Sequence, residues 1–215
     1  MTMTESKQVL RAQSRSERLI MSMSEISHAI CRKLIECDVF HRAQVVLAYW
    51  PLAWEVDCRS LMTEFPEKAW YLPRITDAEH SLMTFYPYSK AVSLQEGRYG
   101  LMEPEPSEDA GAIWQFSDAL STMVLLPALM VDHLGTRLGS GKGYYDRFLA
   151  TLFFSLSPRY RVASQATRSA FFSHPSLSLV SPIPAAHYVA DLPREPWDVS
   201  LNAVVTENGL SKFPI

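Results

Sequence analysis

Three glycines alternate with Ser140 and Lys142 in the run Gly139-Ser140-Gly141-Lys142-Gly143, with Arg137 two residues ahead and Tyr144-Tyr145-Asp146 directly behind. Residues without a Cβ reach backbone conformations closed to others, so such a run lets successive N–H groups converge on one point. A helix beginning near Gly143 adds its positive end, Lys142 a point charge, and Arg137 a planar fork matched to phosphate oxygens. Phosphate is the expected guest. The established phosphate loops fit badly, however. A Walker A loop needs glycine at the place of Thr136 and serine or threonine at that of Gly143, and the dinucleotide fingerprint fails because its third glycine arrives one residue early. On glycines and lysine alone, a flexible turn is an equal reading.

The elements that must position this loop follow from periodicity. Leu19, Met23, Ile26, Ile30 and Leu34 recur at helical steps, predicting a helix that extends back, with a break, to about Ser6. Short β-rich runs follow at Gln44 to Tyr49, Ala69 to Leu72, Leu82 to Tyr86, Thr122 to Leu126, Tyr160 to Gln165 and Ala203 to Thr206. Helical patterns at Cys58 to Phe65 and Gly143 to Phe154 separate several of them. Tyr86 to Ser121 and Phe171 to Pro196 read as loops. Alternating strands and helices predict an α/β fold with a mainly parallel sheet covered on both faces, and ligands bind such sheets at the carboxyl ends of the strands. The glycine loop, following Thr122 to Leu126 and preceding a helix, falls at that edge.

Composition bounds the function. A chain of 215 residues is expected to form one domain, residues 1–215. A formal charge of −3 with scattered acids and bases gives no footprint for nucleic acid. No apolar leader is evident, and the longest apolar stretch, Met123 to Val131, is too short to span a bilayer, so no membrane partner is expected. Cys31, Cys37 and Cys58 form no CxxC pair and fit a reduced, cytoplasmic setting as packing residues. The six histidines show neither metal-ligand spacing nor a nucleophile elbow.

The run Arg137 to Asp146, RLGSGKGYYD, resembles the signature of the 5-formyltetrahydrofolate cyclo-ligase (methenyltetrahydrofolate synthetase) family. Further segments match in the family's order: Lys7 to Arg11, Trp54-Glu55-Val56, Leu72-Pro73-Arg74, Gly97 to Pro104, Pro127 to Asp132 and Asp198 to Glu207. The resemblance implies a three-layer α/β/α domain, similar in topology to phosphosugar isomerase and coenzyme A transferase-like folds. It also implies ATP- and Mg²⁺-dependent cyclisation of 5-formyltetrahydrofolate, with or without a polyglutamate tail, to 5,10-methenyltetrahydrofolate. A monomer is expected.

Residue by residue, the resemblance implies that Arg137 and Lys142 act catalytically on the transferring phosphoryl group. ATP would be held by Lys7, Arg11, Arg137, Leu138, Gly139, Ser140, Gly141, Lys142, Gly143, Tyr144 and Tyr145. Folate would meet Trp50, Glu55, Ser140, Gly141, Lys142, Gly143 and Tyr144, with Met83 and Tyr99 as further walls. Asp146 and Asp198 match the Mg²⁺ ligands. Each has a plain structural alternative: Lys7 and Arg11 as a solvated helix end, Asp146 as a first-turn acid, Asp198 as a turn acid. A non-catalytic folate-binding homologue, or an ATP-dependent enzyme of the same fold with another amide-like substrate, are the other functional readings.

Overall fold

The computed structural model describes residues 3–106, 113–156, 174–195 and 198–213. The chain opens with α1 (Met3–Arg18) and α2 (Met23–Ile35), the expected helical stretch interrupted at 19–22, where Leu19 and Ile20 are exposed. A short α3 (Asp38–Arg42) leads into β1 (Val45–Leu47), followed by α4 (Arg59–Glu64), β2 (Ala69–Asp77) and β3 (Leu82–Tyr88). A small hairpin, β4 (Leu94–Glu96) and β5 (Met102–Pro104), precedes β6 (Thr122–Leu125). Then come β7 (Met130–Asp132), β8 (Arg137–Leu138) and α5 (Tyr144–Leu156). The chain continues through β9 (Leu177–Pro182), β10 (Tyr188–Val189), β11 (Ala203–Thr206) and β12 (Gly209–Lys212).

Seven strands form the main sheet in the order β12-β11-β9-β6-β1-β2-β3. The five inner strands run parallel, and β3 and β12 add antiparallel edges. Inner strands carry continuous apolar runs because both faces are covered. Val46, Met123 and Leu125 pack on one side with Ile30, Leu34 and Phe40; Val45, Leu47 and Val124 pack on the other with Leu149 and Leu152 of α5. Two cores flanking one sheet make the three-layer α/β architecture that was expected. The pairing Leu47↔Val124 brings the carboxyl ends of β1 and β6 side by side, and there the functional loops begin.

Several expectations need correction. The stretch read as loop from Tyr86 holds the end of β3 and the β4–β5 hairpin, and that from Phe171 holds β9, a central strand. The glycine loop does not follow β6 directly, because the β7–β8 hairpin intervenes. The strand expected at Tyr160 to Gln165 lies outside the described residues. No helix among the described residues is long and apolar enough to cross a membrane.

Candidate functional site

The loops after β1 and β6 open on one cavity of about 280 Å3. Its apolar wall includes Trp50, Met83 and Leu129, and Glu55 lines it as well. Glu55 Oε2 accepts the Leu52 N–H at 3.0 Å, which fixes the carboxylate. Burial pushes its pKa up, while the Leu52 hydrogen bond and nearby Arg18 pull the other way. Carboxylates accept hydrogen bonds well from ring N–H and amino groups, so an apolar slot with this acid suits a flat, donor-bearing heterocycle.

Arg18, only 2% exposed, ties this region together. Its Nη1 donates to the Trp54 carbonyl at 3.1 Å, and its Nη2 to those of Ala128 and Leu129 at 2.9 and 2.6 Å. Burial lowers its pKa to about 10, still charged at neutral pH. The last turn of α1 thus links the loop carrying Glu55 to the one leading toward the glycines.

The glycine loop closes another side of the cavity, and guanidinium groups crowd it. A Cβ built on Gly139 would lie 2.7 Å from Arg137 Nη1, one on Gly141 3.1 Å from Arg11 Cζ, and one on Gly143 2.6 Å from Arg147 Nη1. Gly141 and Gly143 also have φ of 92° and 76°, where a side chain would be strained. The glycines therefore serve close approach as well as conformation. Arg11 Nε donates to the Gly139 carbonyl at 3.0 Å and Arg15 Nη2 to that of Ser140 at 3.1 Å. Arg137 bridges the Pro127 carbonyl, at 3.2 Å, and Asp146 Oδ1, at 2.5 Å, with its Cζ 5.9 Å from the Tyr145 ring centroid. Lys142 has no carboxylate partner among the described residues and stands 4.6 Å over the ring of Tyr99.

A second charged group surrounds Lys7 of α1. Lys7 Nζ is 3.0 Å from both Glu195 Oε2 and Asp198 Oδ2, and Asp198 Oδ2 also accepts the Glu195 N–H at 2.9 Å. Burial alone would lower the Lys7 pKa, but the two hydrogen-bonded carboxylates outweigh it and raise it. Arg11, whose pKa burial and Arg15 push down, feels the opposing attraction of Asp146, Asp198 and Glu195. The two carboxylates expected to bind metal thus act on one guanidinium, although no group of three or more potential ligands occurs among the described residues. Two hard carboxylates with phosphate oxygens and water make a donor set that suits Mg²⁺.

Of the expected site residues, Trp50, Glu55, Arg137 and residues 139–146 line the one cavity, as do Met83 and Tyr99. Lys7, Arg11 and Asp198 lie beyond that lining and reach it through Arg11's hold on the loop. Leu138 is buried against Met130 and Leu192. Its carbonyl already accepts the Leu129 N–H, so its side chain is a structural anchor. His133 stacks on Tyr188, outside the cavity lining. Sequence reasoning passed over Arg15, Arg18, Glu103 and Glu195. Arg15 had a signal, since it continues the four-residue spacing of Lys7 and Arg11.

A loop of glycines and cations lies beside an acid-bearing apolar slot at the carboxyl edge of a parallel sheet, an arrangement of an α/β protein that suits a phosphate-bearing ligand. The chain belongs to the 5-formyltetrahydrofolate cyclo-ligase family, whose profile matches residues 3–207. This is a family of ATP-dependent enzymes acting on a small folate substrate. The mitochondrial 5-formyltetrahydrofolate cyclo-ligase of Arabidopsis thaliana is 26% identical over 220 residues, covering 95% of this chain and 75% of that one. The solution structure of Aquifex aeolicus 5,10-methenyltetrahydrofolate synthetase superposes with a TM-score of 0.72 at 25% identity, covering 97% of this chain and 93% of the other. The Mycoplasma pneumoniae synthetase shares the fold, with a TM-score of 0.61 at 19% identity over 94% of this chain and 98% of that one.

Proposed function

We propose that this chain binds 5-formyltetrahydrofolate in the Glu55 cavity and ATP over the glycine loop, and closes the folate to 5,10-methenyltetrahydrofolate with release of ADP and phosphate. The observation that carries the reading is that the glycine loop with Lys142 and Arg137 lines the same cavity as Glu55 and Trp50. A formyl oxygen is a poor leaving group and must be activated. In the proposed sequence it attacks the γ-phosphorus, the bond to ADP breaks, N10 attacks the activated carbon and gives up its proton to solvent, and phosphate departs with the electron pair of the C–O bond.

Phosphoryl transfer asks a protein mainly for positioning and charge. Lys142 and Arg137 would stabilise the transferring group, and Lys7 and Arg11 would hold the polyphosphate. Glu55 would accept hydrogen bonds from the pterin, against Trp50 and Tyr144. The Tyr145 hydroxyl, buried without a partner among the described residues, is a spare donor in the same cavity wall. Asp146 and Asp198 would hold Mg²⁺, which when bound would neutralise polyphosphate oxygens. A non-catalytic folate binder has no need of this set of cations and acids. We also propose a single domain, a monomer and a reduced compartment, in keeping with three buried free cysteines.

The test is absorbance of the methenyl product with purified protein, 5-formyltetrahydrofolate and Mg²⁺, with and without ATP. A rise that requires ATP is expected. No rise, with folate still bound in calorimetry, would overturn the catalytic reading.

A further inference from the structure

α1 presents a cation at every fourth residue, Lys7, Arg11 and Arg15, which places all three on one face. Their surroundings differ. Lys7 is held by Glu195 and Asp198, and Arg11 lies in the field of Asp146, Asp198 and Glu195. Arg15 has no carboxylate partner among the described residues. Its Nη2 donates to the Ser140 carbonyl, and its Nε is buried without an acceptor among the described residues. Of the three, Arg15 alone lines the cavity.

The cavity's other charges are largely matched. Arg137 pairs with Asp146, Glu103 lies 4.0 Å from Arg74, and Glu55 accepts a backbone N–H. Lys142 rests on a neutral ring. Arg15 and Lys142 are therefore lining cations without an acid, one bonded to residue 140 of the loop and the other at residue 142. Arg11 and Arg15, one turn apart, also grip consecutive carbonyls of that loop, at Gly139 and Ser140. Like charges at this spacing oppose each other on a helix, and an anion between helix and loop would remove the conflict.

We propose that Arg15 binds the phosphoryl group in transit, a contact that rests on the loop being the γ-phosphate seat. Its planar fork suits two oxygens of a tetrahedral oxyanion. With Lys142, it faces the charge that develops in the cavity as the formyl oxygen bonds to phosphorus and the electron pair of the breaking bond leaves on ADP. Lys7 and Arg11, outside the cavity lining, are left to the rest of the polyphosphate.

The test compares the wild type with Arg15→Gln and Arg15→Lys, using turnover, calorimetry with ATP and with ADP, and a thermal melt. Arg15→Gln is expected to lower kcat about 100-fold, as for loss of a preorganised charge-stabilising donor. It should narrow the preference for ATP over ADP and leave 5-formyltetrahydrofolate affinity within about threefold, about 0.7 kcal/mol. Arg15→Lys should recover part of kcat. Normal kcat in Arg15→Gln, while the wild type turns over, overturns the proposal but not the cyclo-ligase reading; an inactive wild type overturns that reading itself. Weaker binding of 5-formyltetrahydrofolate, but not of its analogue without glutamate, would instead assign Arg15 to the folate carboxylates. A lower melting temperature that neither substrate restores, with Arg15→Lys equally inactive, would make it a loop anchor only.

Discussion

The Lys142 ammonium stands 4.6 Å over the ring of Tyr99, a residue of the β4–β5 connection with φ of 63°. The glycine loop and a hairpin remote from it in sequence are thereby in direct contact. A cation–π contact at an exposed ring is worth about 0.5–1 kcal/mol. Tyr99→Phe should preserve kcat/KM, whereas Tyr99→Ala should lower it several-fold, at least through the lysine's position. Steady-state kinetics on both variants checks this, and equal values for wild type and Tyr99→Ala would remove the ring from the site.

Lys142→Ala should reduce kcat by about 100-fold with a smaller change in KM, because a charge acting on the transferring group matters most in the transition state. Single-turnover product formation measures it. Near-normal turnover would take Lys142 out of the chemistry.

Asp146→Asn should raise the Mg²⁺ concentration for half-maximal turnover by about tenfold, about 1.4 kcal/mol of binding. Since Asp146 also pairs with Arg137, the variant should bind ATP no more weakly than wild type when Mg²⁺ is withheld. An unchanged Mg²⁺ titration would reject Asp146 as a ligand.

His187 is fully buried, with Nε2 3.2 Å from Glu17 Oε2. Burial, followed by repulsion from Arg18, lowers its pKa from 6.5, against the pull of Glu17. The unfolded chain then binds the proton more readily than the fold does. This contribution to stability is present above about pH 6.5 and is lost as pH falls toward the folded value. Thermal midpoints should decline over that acid range, and His187→Gln should flatten the decline. A parallel decline in the variant would assign the effect elsewhere.

What the sequence disclosed, and what it hid, has physical causes. The glycine loop was legible because its residues are constrained locally, by φ and by the close approach of neighbouring side chains. β6 and β11 were legible as apolar runs buried on both faces. β9 was not, since Leu177–Pro182 lies among prolines that read as breakers, and its strand character comes from pairing with β6 and β11 on either side. β7 and β8, of three and two residues, exist only as a pair. Arg18 and Glu195 were invisible for another reason. Each acts through a partner more than 30 residues away, and no local pattern marks an arginine that will be buried against three carbonyls.

The long reach of α1 bears on how the molecule is made. Its bonds run from Lys7 to Asp198, from Arg11 to Gly139, from Ser14 to Leu129 and from Arg18 to Ala128. At 16 residues this helix is marginal alone in water. Apart from Trp54, which Arg18 also holds, its partners follow β1, β2, β3 and β6 in the chain. α1 must therefore wait without these later bonds, and its Lys7 end finds its carboxylates only once Glu195 and Asp198 have been made. Synthesis interrupted before Glu195 would leave five of the seven strands of the main sheet made and Lys7 without either carboxylate.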